Sequence, residues 1–600
     1  MRFLLCGINA KYIHSNLAVF CLKAYADREK IAGADIAIRE YTINHYVEDI
    51  LQDLYECHAD VIIFSCYIWN ITFVNELAGE LKKICPETQI WAGGPEVSYH
   101  VEEFLLEHPA IDLVMQGEGE EVFARLVRWQ AAGGVKGEEP QELFRIPGIA
   151  FRAEGIVNTG PAPLMDMDRI PFVYEDFRCF SHKILYYETS RGCPFRCSYC
   201  LSSIEKTVRL RSLSLVEQEL DHFLEAKVPQ VKFVDRTFNC NRERAYHIWK
   251  YLEEHDNGTT NFHFEISSDL LGEKELQLFS RMRPGLIQLE IGVQSTHAPT
   301  IEAIHRHMDL ATLFSRVDSV HALGNIHQHL DLIAGLPFEG YGEFARSFND
   351  LYVHEPDQLQ LGFLKVLKGT VMEQDVERYG IIYRTMPPYE VLQTKWISYN
   401  EIILLKGIEE LVEQYYNSGQ YSTVLRYAVP FFPGPFQFFE QFSREYRKKG
   451  YHKMNHSRME KYEILRVFLR DSLEETEWGT VDEALLYDMY LRENVKGRPA
   501  WAPDTSTYKK EWKALYRTRG EELFPKEDWE DGYDSKKAAN QSHIEPFSID
   551  MSQLAASGKV EKKECFCLFD YHRRNPLNHS ARTVIWEKGK YEETGNSIET

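Results

Sequence analysis

Short apolar runs alternate with amphipathic stretches along the first 135 residues, a pattern that predicts repeated strand–helix units. RFLLCGI at 2–8 reads as a buried strand, with a helix from Ser15 to Arg28 after it. ADIAIREY, DVIIFSCY (60–67), QIWAGG and IDLVMQG read as further strands. Helices are predicted over VEDILQDLYECH, near 70–84 and from Glu120 to Trp129. Such repeats imply a doubly wound parallel sheet of the Rossmann-like kind, covered on both faces. Ligands of these sheets bind beyond the carboxyl ends of the strands. Four loops fall on that edge: NAKYIH (9–14), SCYIWN (65–70), GGPEVS (93–98) and GEGE (117–120).

The pattern changes over 136–185. Gly133, Gly134 and Gly137 with an EEP stretch mark a boundary, IPGIAFRAEGIVNTG predicts a hairpin, and PAPLMDMDRIPF predicts an extended linker. From 186 to 370, six strand-like runs alternate with helical ones: ILYYETS, QVKFVDRTFN, NFHFEISS, LIQLEIGVQS, HQHLDLIAGL and QLQLGFLKVL. Six units predict a partial (β/α)6 barrel, with functional side chains at the carboxyl ends of its strands.

Residues 371–600 predict a mainly helical domain. YEVLQTKWISYNEIILLKGIEELVEQYYNSGQ reads as one or two amphipathic helices ending near Gly419. EYRKKGYHKMNHSR reads as a solvated basic helix face, and TSTYKKEWKALYRTRG through KEDWEDGYDSKK as an exposed insertion. CFCLFDYHRRN alternates like a strand; Cys565 and Cys567 on it, with His572 nearby, make no complete metal set.

Composition narrows the class. At 44% hydrophobic and 26% charged over 600 residues, the chain suits several packed soluble domains. No apolar run approaches the ~20 residues that span a bilayer, so no membrane partner is expected. MRFLLCGINAKY is too short an apolar run for a secretory signal. The net charge of −23 argues against broad nucleic-acid affinity, which favours a small-molecule substrate. Cysteines scattered through strands, without a small disulfide scaffold, fit a reducing cytoplasm.

The chemistry centres on ETSRGCPFRCSYCL at 188–201, where Cys193, Cys197 and Cys200 stand at C-x3-C-x2-C spacing. Three thiolates on so short an arc can face one point, and soft sulfur selects iron–sulfur clusters, zinc or copper(I). A closed zinc site needs a fourth ligand, and the next cysteine is Cys240.

With Tyr199 as the aromatic before the last cysteine, this stretch resembles the radical S-adenosylmethionine (SAM) enzymes. The resemblance implies a 4Fe–4S cluster on Cys193, Cys197 and Cys200, whose open iron chelates SAM and, once reduced by a flavodoxin or ferredoxin, cleaves it to a 5′-deoxyadenosyl radical. The polar residues at the predicted strand ends are Asp235, Glu265, Gln294, Ser295 and Asp331, with Arg306 in AIHRHMD. Their order is similar to the SAM site of the coproporphyrinogen dehydrogenase group. That likeness assigns Glu265, Gln294, Arg306 and Asp331 to SAM, with Tyr199, Asp235, Ser295 and Gly335 beside them. Carboxylate and amide acceptors suit ribose hydroxyls, and a guanidinium suits a carboxylate.

The four N-terminal loops resemble those of the cobalamin-binding domain of cobalamin-dependent radical SAM enzymes. The likeness implies cobalamin contacts from Asn9, His14, Ser65, Gly93, Gly94, Pro95, Glu96, Gly117, Glu118, Gly119 and Glu120. D-x-H-x-x-G, the motif that supplies a histidine to cobalt, is absent, so base-off cobalamin is implied. The reading that follows is an enzyme that functionalises an unactivated C–H position by methyl transfer. Its alternatives are cobalamin-dependent cyclisation or rearrangement, RNA modification, and a non-enzymatic cobalamin or redox sensor. The resemblance extends at the C-terminus to a domain of unknown function, which supplies no substrate.

Overall fold

A computed structural model describes residues 1–133, 142–525 and 534–589. The first sheet has strands β1 (Arg2–Asn9), β2 (Asp35–Thr42), β3 (Val61–Ser65), β4 (Gln89–Gly93), β5 (Leu113–Met115), β6 (Ile149–Arg152) and β7 (Ile156–Asn158). Their order is β2-β1-β3-β4-β5-β6-β7. The first five pair in parallel, while β6 and β7 form the predicted hairpin and add antiparallel to β5. Near-continuous runs such as VIIFS in β3 are buried end to end, as a strand covered on both faces requires. One face packs Leu4, Ile62, Phe64 and Ala92 against helices Val47–Glu56 and Ile71–Ile84. The other packs Phe3, Ile63, Trp91 and Leu113 against Leu17–Arg28 and Glu120–Ala131.

The sequence pattern misses the helix Val101–Glu107, which is only seven residues long and follows His100 in the left-handed region. Gly134, Gly137 and the EEP stretch lie outside the described residues.

The second sheet contains β8 (Leu185–Tyr187), β11 (Gln230–Phe233), β12 (Asn261–Ile266), β13 (Ile287–Gln294), β14 (His327–Ala334) and β15 (Gln358–Phe363). Its order is β15-β14-β13-β12-β11-β8, the expected six-stranded partial barrel. All pairings from β8 to β13 are parallel. A small antiparallel ladder, β9 (Ser190–Arg191) with β10 (Arg209–Leu210), flanks the cysteine loop. Along β13, Ile287, Leu289, Ile291 and Val293 are buried while Gln288, Glu290, Gly292 and Gln294 take the opposite, half-exposed face. Period-two alternation therefore puts an apolar face against the helices and a polar face on the sheet's other side.

Packing divides the chain into two compact units. One holds 1–326, 333–340 and 362–399; the other holds 327–332, 341–361 and 400–600. Within the first, YEVLQ is not helical: β17 (Val391–Gln393) pairs antiparallel with β16 (Ile382–Tyr383). Three-residue strands are too short to display a period, which is why the pattern there reads as helix.

In the second unit the long helix begins at Tyr399 and its last turns, Val412–Asn417, widen into a π-helix before Gly419. The basic stretch is not one helix face. Its helix stops at Lys448, Gly450 takes a left-handed φ of 77°, and a new helix starts at Arg458. The presumed insertion is also partly packed: helix Lys509–Thr518 buries Leu515 and Tyr516 in a core with Phe566 and Trp586. That core lines an antiparallel sheet of β18 (Ser542–Ile549), β19 (Lys562–Arg574) and β20 (Ala581–Glu587). The stretch is a strand as expected, but residues 565–570 of β19, Cys565 and Cys567 among them, are buried without alternation.

Candidate active site

The cysteine loop leaves β8 and is fixed on all sides by the chain. Asp235, buried just beyond β11, accepts hydrogen bonds from Thr189 N at 2.9 Å, Thr189 Oγ1 at 2.6 Å and Ser190 Oγ at 2.6 Å. Burial raises its carboxyl above the ordinary range, although those donors pull the other way. Gly192 follows with φ +89°, and a Cβ there would lie 2.0 Å from the Thr207 carbonyl oxygen. Only glycine fits that backbone crossing. Further along, Ser203 Oγ donates to the carbonyls of Cys197 (2.9 Å) and Cys200 (2.6 Å), and Ser198 N donates to Ile304 O at 3.0 Å.

Cys193 and Cys197 are buried and Cys200 is half-buried. Burial raises the Cys193 thiol. Its sulfur lies 3.8 Å from Thr237 Oγ1. Arg306 points into the loop: its Nη1 is 3.7 Å from Cys197 Sγ and 3.4 Å from Tyr199 Oη, and Nη2 bonds the Gly292 carbonyl. Burial opposes the Arg306 charge, but Tyr199 and Cys197 more than offset it, so the guanidinium stays charged. Burial pushes the Tyr199 phenol well up.

Gln294 ends β13 with φ 74°, a left-handed conformation costly for a residue with a side chain. Its Oε1 is buried without a hydrogen-bond partner, as are Arg306 Nε and Ser198 Oγ. Buried polar atoms are normally paired, so three orphans around one thiol loop mark a place built for a polar ligand. The residues fit a three-thiolate cluster with SAM beside it: three thiols on one loop, a held guanidinium, and unpaired acceptor and donor atoms.

The other expected SAM residues sit differently. Glu265 lies on the polar face of β12, half-exposed. Ser295 donates to Glu339 Oε1 at 2.5 Å and accepts from His297 N at 3.0 Å, so its hydroxyl is already engaged. Gly335 has φ +84°, and a Cβ would lie 2.6 Å from Val391 Cγ1. Asp331, on β14, has its Oδ1 2.9 Å from His329 Nε2. The pattern gave no warning of the Glu290 contacts. Its Oε2 is 2.8 Å from Lys232 Nζ and 3.0 Å from His263 Nε2, one residue each from β11, β12 and β13.

At the N-terminal sheet, register places the ends of β1, β3, β4 and β5 side by side, so all four expected loops share one edge. Gly94 has φ +112°, where a Cβ would meet the Cys66 carbonyl oxygen at 2.5 Å, and Gly117 has φ +79°. Gly93 and Pro95 flank Gly94, and Gly119 packs near Leu22. Asn9 Nδ2 is spent on His14 O at 3.1 Å and Glu40 Oε1 at 2.9 Å, and Ser65 Oγ on Asn16 Oδ1 at 3.4 Å. His14 Nδ1 is 2.6 Å from Tyr186 Oη. Burial, then Lys11 and Lys232, lower the His14 pKa and keep the ring neutral.

The three acidic side chains of these loops all have partners within the chain. Glu96 accepts from Tyr389 Oη and pairs with Lys368 at 3.2 Å. Glu120 pairs with Arg191 at 2.5 Å, and Glu118 with Arg191 at 3.5 Å and with Arg209. The partner arginines lie 71 to 91 residues away in sequence, beyond the reach of any local pattern.

The family model described as "B12 binding domain" matches residues 4–127, "Radical SAM superfamily" matches 187–351, and "Protein of unknown function (DUF4080)" matches 377–569. The anaerobic magnesium-protoporphyrin IX monomethyl ester cyclase of Synechocystis sp. is 33% identical over 354 residues, covering 54% of this chain and 68% of that protein. The cobalamin-dependent radical SAM methyltransferase TokK of Streptomyces tokunonensis is 26% identical over 408 residues, 64% of this chain and 57% of its own. The chain spans about half the length of the first curated relatives it matches. Among solved structures, the cobalamin-dependent S-adenosylmethionine radical enzyme OxsB with aqua-cobalamin and S-adenosylmethionine bound superposes with a TM-score of 0.57 at 16% identity, over 81% of this chain and 80% of that one. At that identity the likeness is one of fold.

The chain therefore belongs to the radical SAM enzymes that carry a cobalamin-binding domain. Within them it is a member whose C-terminal part is a DUF4080 domain.

Proposed function

We propose that the chain is a cobalamin-dependent radical SAM methyltransferase acting at an unactivated C–H position of a small molecule. The observation that carries this reading is Arg306, held 3.7 Å from Cys197 Sγ beside the unpaired Gln294 Oε1. Cys193, Cys197 and Cys200 would hold a 4Fe–4S cluster, and the loops after β1, β3, β4 and β5 would hold cobalamin. When bound, the cluster supplies the electron that cleaves SAM and cobalamin supplies a methyl carrier.

The chain's own part is binding and orientation. Arg306 offers a fixed positive charge to the SAM carboxylate, and Gln294 Oε1 and Glu265 offer acceptors to ribose hydroxyls. Tyr199 Oη, accepting from Arg306 Nη1 at 3.4 Å, helps hold the guanidinium in place, and Gly335 lets the backbone turn. Asp331 keeps its assignment from the DLIAGL stretch. Asp235 acts one step back, holding Thr189 and Ser190 under the loop. We further propose domains at 1–135, 136–185, 186–370 and 371–600, a flavodoxin- or ferredoxin-type reductant, and a cytoplasmic setting. That setting is supported by twelve free thiols. No helix among the described residues is long and apolar enough to cross a membrane.

Anaerobic turnover with methyl-labelled SAM, hydroxocobalamin, a chemical reductant and a small-molecule extract tests the reading. Methyl transfer requires 5′-deoxyadenosine, S-adenosylhomocysteine and a labelled product together. 5′-Deoxyadenosine without S-adenosylhomocysteine or label would replace methylation by another radical outcome.

A further inference from the structure

We propose that Glu118 and Glu120 are positioning residues that latch the cobalamin-side loop to the cluster-bearing loop, so that filling one cofactor site favours filling the other. The proposal rests on the functional reading above. It reassigns the two carboxylates of GEGE from ligand contact to the arginines beside the cysteines.

Glu118 and Glu120 leave β5 and open the helix Glu120–Ala131. Glu120 grips Arg191 twice, Oε1 to Nη2 at 2.5 Å and Oε2 to Nη1 at 3.3 Å. Glu118 Oε2 is 3.5 Å from the same Nη1 and 3.1 Å from Arg209 Nη1, while its Oε1 takes Arg209 Nη2. Arg191 and Arg209 face each other across the β9–β10 ladder. Glu118 Oε2 also accepts from Met165 N at 2.8 Å, which ties the linker into the same knot.

Arg191 is two residues before Cys193, and the residue between them is the Gly192 that has no room for a Cβ. The backbone from Arg191 to Cys193 thus has little freedom once the guanidinium is fixed. The side chains are largely shielded from water, at 15% exposed for Arg191, 6% for Glu120, 13% for Glu118 and 18% for Arg209. Four carboxylates, counting Glu188 at 2.9 Å from Arg191 Nε and Glu205 at 3.0 Å from Arg209 Nε, surround two guanidinium groups. Shielded bidentate pairs of this kind fix geometry more firmly than surface ion pairs do. A ligand that orders either loop therefore orders the other, and such coupling is reciprocal.

The test compares hydroxocobalamin affinity, by absorbance titration, for protein with and without a reconstituted cluster. Wild-type protein should bind about tenfold more tightly when the cluster is present, and in the Glu118→Gln/Glu120→Gln variant that ratio should fall to about one. In cofactor-free protein, the amides from Gly192 to Cys197 should exchange hydrogen about tenfold faster in the variant, with the rest of the barrel unchanged. If the double variant does not fold, Arg209→Lys, which keeps the charge and loses the fork, should reduce the ratio without abolishing it. A wild-type ratio of one, or a variant that keeps the wild-type ratio and exchange rates, overturns the latch while leaving the functional reading intact. Wild-type protein that takes up neither iron nor hydroxocobalamin sinks the functional reading instead, and the latch with it.

Discussion

Thr189 gives Asp235 both its backbone N–H and its hydroxyl, at 2.9 and 2.6 Å. The aspartate two residues past β11 thus holds up the strand that launches the cysteine loop. Asp235→Ala leaves those donors and Ser190 Oγ without an acceptor, and each such loss in a buried place costs roughly 1–3 kcal/mol. The expected result is a lower melting temperature and iron uptake well below wild type. SAM affinity that falls while iron content stays whole would make Asp235 a direct SAM ligand instead.

Cys193→Ala should abolish cluster loading, whereas Cys240→Ala should still take up about four irons per chain on anaerobic reconstitution. The pair is informative because Cys240 lies close enough to feel Cys193: after burial, Cys193 is the next largest influence raising the Cys240 thiol. Equal iron loss in the two variants would show that Cys240 is a ligand.

Arg306→Ala should leave the iron content intact and weaken SAM binding roughly ten- to a hundred-fold, the equivalent of about 1.5–3 kcal/mol for one charge-assisted contact. Calorimetry on the cluster-loaded protein reads it. Unchanged affinity would remove Arg306 from the SAM site and leave it as a partner of Cys197 and Tyr199.

Much of this arrangement is legible in the sequence because it is local. VIIFS and QVKF announce strands by composition and period, and three cysteines within eight residues announce a ligand set. What the sequence hides is pairing across distance. Nothing near Glu120 indicates that its carboxylate turns to Arg191, nor does QVKF show that Lys232 reaches Glu290 on β13. Short elements are hidden for a different reason. Val391–Gln393 and Val101–Glu107 hold too few residues to display a repeat.

Cobalt should carry no histidine nitrogen from this chain. The chain has no D-x-H-x-x-G motif, and His14, the histidine of the first loop, has Nδ1 on Tyr186 Oη at 2.6 Å, which leaves Nε2 as the one ring nitrogen the experiment has to exclude. Electron paramagnetic resonance of the cob(II)alamin form should lack nitrogen superhyperfine splitting, and His14→Ala should not change the spectrum. Splitting that vanishes in His14→Ala would make His14 the ligand.

Stability of the C-terminal unit should fall as pH rises from about 4 to about 7 because of Asp488. This buried carboxyl caps the helix Ser422–Ala428 from outside, accepting from Thr423 N at 3.0 Å and Val424 N at 2.9 Å. Burial pushes it up to about 7, against the pull of those donors and of Arg492. The sign follows from proton binding. Below about 4 the group is protonated in both folded and unfolded chains and contributes nothing to the slope; between about 4 and 7 only the unfolded chain releases the proton, so unfolding gains. A rise from 3.8 to about 7 corresponds to a loss on the order of 4 kcal/mol by the time both states are ionised. Asp488→Asn keeps an acceptor oxygen and cannot ionise, so it should match wild type near pH 4 and exceed it at pH 8. Urea denaturation of the cofactor-free chain at both pH values measures the difference. A wild type no weaker at pH 8 than the variant would mean that the two backbone donors, rather than burial, set the state of Asp488.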